Sequence, residues 1–162
     1  MEQQGGTEAP AGAIDQMIDF SVGERQYGVD IRKVREVIQI EEITPLPHAP
    51  SFVKGVINLR GDVIPVIDLR QKLGLDAAQG SKAERLIVVE IEEKLVGMIV
   101  DSVSHVVRVR AGQLEPAPSW LVGLTGDFVT GVVRQDEKMT VVLNVETILT
   151  SAEKLELESL ES

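Results

Sequence analysis

At 162 residues and 43% hydrophobic, the chain can bury a sizeable core as one compact unit or as two small ones. A formal net charge of −10 and a pI near 4.7 exclude the basic face that nucleic acid or an anionic lipid surface demands, and 3% aromatics leave no base-stacking platform. With no cysteine, disulfides, thiolate nucleophiles and zinc–thiolate sites are out of reach, and the composition suits a reducing cytoplasm. No 18-residue apolar run and no signal peptide occur, so neither a membrane span nor export by the usual route is expected.

In chain order, residues 1–13 lack periodicity and read as a disordered leader. Strands are predicted at Ile14 to Val22 and Arg25 to Val29, around a turn at Gly23-Glu24. One helical turn at Asp30 to Lys33 follows, then a strand from Val34 to Ile40. Thr44 to Pro50 carries three prolines and cannot donate regularly to a ladder, which makes it a crossing loop. Phe52 to Leu73 reads as strand, tight turn, strand and short helix. Asn58 to Asp62 supplies the turn, with Gly61 free to take positive φ. Asp68 caps the helix and Gly74 ends it. A polar connection spans Asp76 to Glu84, and Thr150 with Glu153 forms a capping box for a short acidic C-terminal helix over 151–162, a fraying, solvated cap.

After residue 84 the pattern starts again. Met17–Ile38 lies over Leu86–Val107 at an offset of 69, placing Gly28 on Gly97. Phe52–Leu73 lies over Phe128–Leu149 at an offset of 76, placing Gly55 on Gly131. Together these give 11 identities in 44 pairs. Pro45-Leu46-Pro47 matches Pro116-Ala117-Pro118, and Asn144 takes the capping place of Asp68. We read an internal duplication, copy one at about 14–75 and copy two at about 85–150. Five short strands per copy fit a small β-barrel, and two such barrels need a shared core. The predicted fold is therefore all-β: two pseudo-repeated five-stranded SH3-like barrels packed on one core, with short helices.

The search for chemistry returns no phosphate loop, nucleophile elbow or zinc-binding helix motif. His48 and His105 have no neighbouring ligand pair, and the carboxylates sit at turns and alternating strand positions, as on a solvated face. No catalytic residue, metal site or cofactor is expected. Positions shared by the copies read as scaffold, and positions that differ read as specialised. The largest difference is the turn, where Leu59 and Arg60 on a constrained loop replace an ordinary charged tip, Arg134 to Lys138. Glu36 and Arg60 correspond to His105 and Asp136, so their charge signs change together, which predicts a Glu36–Arg60 pair near the groove between barrels. Trp120-Leu121-Val122-Gly123 is an apolar bulge of copy two, with the tryptophan expected to plug the core.

The block FVKGVINLRGDVIPVIDLRQKLG, with YGVDIRKVREVI before it and VGMIVDSVSHVVRV after it, resembles the CheW family of bacterial chemotaxis coupling proteins over roughly residues 15 to 150. The resemblance implies two five-stranded barrels on a common core, no catalytic activity, no cofactor and a cytoplasmic protein recruited to receptor arrays. It implies that the chain bridges the cytoplasmic tip of chemoreceptors to the histidine kinase CheA. A receptor helix would lie along the groove at Val34, Glu36, Arg60, Val63, Val103 and Val106. Gly55 would belong to kinase association, with Ile57 and Leu59 beside it. Further kinase contacts on the second barrel are not placed by the motif. Two other readings stand beside this one. The first is a CheW-like module of another signalling protein, against which the disordered start and the early end after copy two argue. The second is a small β-barrel enzyme, which needs convergent acid and base groups that the sequence does not offer.

Overall fold

A computed structural model describes residues 14–76, 80–110, 112–121, 128–135 and 137–161. The expected leader at 1–13, together with Val122, Gly123 and Asp136, lies outside the described residues, as does the side chain of Leu160. The strands are β1 Gln16–Val22, β2 Arg25–Asp30, β3 Val34–Gln39, β4 Val53–Leu59, β5 Asp62–Asp68, β6 Arg85–Ile91, β7 Lys94–Val100, β8 Ser102–Arg108, β9 Leu114–Glu115, β10 Val129–Gln135 and β11 Lys138–Leu143. A 3-10 turn fills Ile31–Lys33, and two helices, α1 Leu69–Lys72 and α2 Ser151–Glu161, with a short helical turn at 119–121, complete the described elements.

Short-range signals produce the elements they predict. Asp30 accepts from the Arg32 amide, and Asp68, fully buried, accepts from the Arg70 amide to start α1. Asn144 repeats that device by accepting from the Glu146 amide. In the β4–β5 turn, Arg60 and Gly61 both take positive φ, and the Asn58 side chain holds the Gly61 amide.

The duplication is visible in atoms. A Cβ on Gly55 would stand 2.2 Å from the Thr44 carbonyl oxygen, and one on Gly131 2.4 Å from that of Glu115, the proline-loop equivalent of Thr44. Both glycines sit at a bulge, Val53/Gly55 on β4 and Val129/Gly131 on β10. At Gly28 and Gly97 the approach is made by side chains, those of Met17 and Leu86, which are again repeat equivalents.

The two copies do not, however, make one barrel each. The strands form a six-stranded sheet, β9-β10-β11-β2-β1-β8, and a five-stranded sheet, β3-β6-β7-β5-β4. The N-terminal hairpin of each copy is exchanged. β2 lies parallel to β11 of copy two with Gly28 beside Val142, and β7 lies parallel to β5 of copy one with Gly97 beside Val66. Repeat equivalents therefore occupy equivalent places across a pseudo-twofold relation. The ion pairs at the two junctions have opposite polarity: Arg70 Nη1 meets Asp101 Oδ2 at 2.6 Å, whereas Glu146, the equivalent of Arg70, meets at 2.9 Å the Nζ of Lys33, one place beyond Arg32, the equivalent of Asp101.

Three apolar clusters follow. Ile57, Ile64, Val66, Leu86, Val88 and Ile99 line the inside of the five-stranded sheet, and Ile14, Met17, Val107, Val109, Val133 and Val142 that of the six-stranded one. Between the sheets lies the largest cluster, with Phe20, Val29, Ile67, Leu69, Ile87, Met98 and Leu143 among its members. The shared core predicted from the thinness of each barrel is thus the main one.

Two expectations fail. Trp120 is 62% exposed, while its neighbour Leu121 enters the shared core, because the short helical turn there directs the smaller side chain inward. α2 is more than a solvated cap. Its capping box is formed, with Thr150 Oγ1 accepting from the Glu153 amide and Glu153 from the Thr150 amide. Leu157, 5% exposed, joins the shared core. Ion pairs Lys72–Glu153 at 2.7 Å, Lys154–Glu92 at 2.5 Å and Lys94–Glu158 at 3.4 Å hold its flanks.

Candidate functional site

The five-stranded sheet has two edges, β3 and β4, and the chain itself joins them. After β3 it runs to Thr44, whose amide donates to the Val56 carbonyl at 2.8 Å and whose carbonyl accepts from the Val56 amide at 2.9 Å. Any side chain at Gly55 would obstruct this seam, which is why the position needs glycine. A second tie spans the same edges. Glu36 on β3 accepts a hydrogen bond from the Arg60 guanidinium at the tip of the β4–β5 hairpin, so the pair predicted from covarying charge signs is formed. Its counterpart, His105 with Asp136, falls on a residue outside the described ones.

Arg60 remains 71% exposed in this pair, leaving guanidinium donors for another acidic group. Val63 at the start of β5 is 65% exposed, and Leu59 before the turn is half-buried. Val34 lies beside a bulge at Val34/Glu36, packed against the rim of the shared core. Val103 repeats that placement on β8, beside the equivalent irregularity where β8 pairs with Asp19 and Phe20. Val106, two residues nearer the strand's end than Ser104, is 48% exposed. The structure brings Glu36 and Arg60 together and seats Val34 and Val103 at the seam between the sheets. Val63 and Val106 stand on opposite sheets as exposed apolar groups. Gly55 and Ile57 are buried, so they shape the β4 edge from within, and only Leu59 of that trio reaches the surface.

One feature escaped sequence reading. Asp19 reads as an outward residue on an alternating strand, yet it faces the inside of the six-stranded sheet opposite His105. Burial raises its carboxyl above the ordinary range, opposed by His105 and Lys138. Among the described residues no cluster of side chains could hold a metal, and no helix is long and apolar enough to cross a membrane.

A family model for the CheW-like domain matches residues 16–153. Chemotaxis protein CheW of Klebsiella aerogenes is 37% identical over 134 residues, 83% of this chain and 81% of that protein. Chemotaxis protein CheW of Treponema pallidum is 32% identical over 149 residues, 90% and 88% of the two chains. The crystal structure of the scaffolding protein TtCheW from Thermoanaerobacter tengcongensis superposes with a TM-score of 0.79 at 36% identity, covering 87% of this chain and 97% of that one.

Proposed function

Because the chain belongs to the CheW family of chemotaxis proteins, a family of non-catalytic scaffolds, we propose that it couples the cytoplasmic tip of chemoreceptors to the histidine kinase CheA. It would act as a cytoplasmic protein recruited to receptor arrays. The observation that carries the receptor half of this reading is the Glu36–Arg60 tie. It ties a largely exposed guanidinium across two sheet edges, and the receptor face would add Val34, Val63, Val103 and Val106 to it. A receptor helix uses spaced valines as apolar anchors, and Arg60 fixes its register through a charge-assisted bond to a carboxylate of the helix. For the kinase half, Gly55 and Ile57 hold the β4 edge in shape while Leu59 presents apolar surface. A separate face for each partner lets one body relay receptor state to the kinase, with modest affinities adding in a clustered array.

The test is a titration of the chain against a receptor hairpin-tip fragment and, separately, the CheA regulatory domain. Arg60→Ala is expected to weaken receptor binding about tenfold, the equivalent of about 1.4 kcal/mol, and to leave kinase binding unchanged. Val34→Met, which crowds the seam, moves the same arm. Wild-type binding to neither partner refutes the proposal, and equal loss in both arms refutes the placement of the faces.

A further inference from the structure

The pseudo-twofold relation makes each sheet a control for the other, and one place differs in how it is filled. Across the β1–β2 hairpin Phe20 pairs with Tyr27; both are buried, and their rings stack at 6.1 Å between centroids. The equivalent pair across β6–β7 is Val89 with Val96, also buried. Two isopropyl groups therefore stand where the other sheet has two rings. The surroundings do not grow to compensate: Ile91 replaces Val22, Pro65 replaces Val141 and Leu149 replaces Leu73.

Part of the missing volume comes from α2, whose Leu157 lies over this place. What remains is a cavity of about 100 Å³ walled by Pro65, Ile91, Val96, Leu149 and Leu157. Folded interiors hold few voids larger than a water molecule, and apolar walls give a water nothing to bond. The rim is polar, formed by the ion pairs Lys154–Glu92 and Lys94–Glu158. Both side chains of the second pair are exposed, so parting them costs little. Lys94 is also the repeat equivalent of Arg25, the cation that acts on the Tyr27 hydroxyl. The cavity thus repeats the surroundings of Tyr27, with apolar walls for a ring and a cation for its hydroxyl, but holds no ring of its own.

We propose that the cavity beneath α2 receives the tyrosine side chain of a protein partner, which enters ring first past the Lys94–Glu158 pair and leaves its hydroxyl beside Lys94. A ring carried on a chain is favoured over a free aromatic molecule by what adjoins the cavity. Val63, largely exposed, lies two residues before Pro65 on the same face of β5, so a partner seated on Val63 has the cavity within reach of a neighbouring side chain. The cavity does not depend on which partner covers Val63, and so does not rest on the function proposed above.

The test uses the full chain, methyl NMR and two probes, N-acetyl-tyrosinamide and phenol. N-acetyl-tyrosinamide is expected to shift the Ile91, Val96 and Leu157 methyls saturably, with a Kd of about 1 mM. The Val22 and Val141 methyls stay unmoved, because Tyr27 already fills their side. Val96→Tyr supplies the ring that the equivalent place contains; it is expected to melt no lower than the wild type and to abolish the shifts. Val96→Leu is a smaller filling that keeps the test valid if the larger ring distorts the fold, and it is expected to weaken binding several-fold. Absence of saturable shifts with N-acetyl-tyrosinamide, or binding that survives both Val96 variants, overturns the proposal. Saturation by phenol alone also overturns it, since the cavity would then be closed to a ring borne on a chain.

Discussion

Cutting the chain between its copies tests the exchanged hairpins directly. A protease site placed between Asp76 and Gly80 separates β1 to α1 from β6 to α2, yet each sheet takes strands from both pieces. Four strand pairings cross the cut: β3 with β6, β5 with β7, β2 with β11 and β1 with β8. Neither piece alone retains a sheet of more than three strands or an enclosed shared core, so each alone is expected to be unfolded. Together they keep every contact and lose only the tether. A short connection acts as an effective concentration of order millimolar, so at roughly 10 µM pieces the loss is a hundredfold, or about 2.7 kcal/mol. The nicked protein is expected to elute as one species, with a melting temperature lowered by about 5–10 °C that rises with protein concentration. Two folded species that separate on a sizing column, or a melting temperature indifferent to dilution, would refute the exchange.

Other outcomes follow from the same fold. Gly131→Val forces a side chain against the Glu115 carbonyl and should cost about 2–3 kcal/mol, whereas Gly61→Ala, at φ +90° with open space around it, should cost about 1 kcal/mol; chemical denaturation of both variants checks the contrast. Acidification should release α2. Burial pushes the Glu153 carboxyl up, but the Lys72 ammonium and the Thr150 amide and hydroxyl together bring it below its ordinary value. A carboxyl lowered on folding stabilises above its unfolded pKa, and that contribution is lost as pH falls through the folded one. Amide exchange of α2 is expected to accelerate below the ordinary carboxylate range, and Lys72→Met to move that acceleration to higher pH.

What the sequence makes legible is what short-range chemistry decides. The Asn58–Gly61 turn, the Asp68 and Asn144 caps, the Thr150–Glu153 box and the repeat register all depend on residues within a few positions of one another. The Glu36–Arg60 pair was also legible, because the duplication supplied a second copy in which both signs had changed. The hairpin exchange was not, since the same alternating pattern satisfies a strand whether its neighbour comes from its own copy or the other. Asp19 was misread for a related reason. Polar residues alternating with Ile18, Phe20 and Val22 imply a water-facing side, but here that side faces the inside of a second sheet-lined space, so both faces of β1 are covered. For Leu157 the signal was diluted by surrounding glutamates whose partners, Lys72 and Lys94, lie far back in the chain.

The opposite polarity of the ion pairs at the two junctions decides which halves can associate. Arg70 meets Asp101 and Glu146 meets Lys33. Were copy one to associate with another copy one, Arg70 would confront Arg32 and Lys33; were copy two to associate with itself, Glu146 would confront Asp101. Like-with-like assembly is repelled at both junctions and unlike assembly is attracted at both. The polarity therefore dictates that a copy-one half meets a copy-two half, and a single chain carries both members of that complementary set.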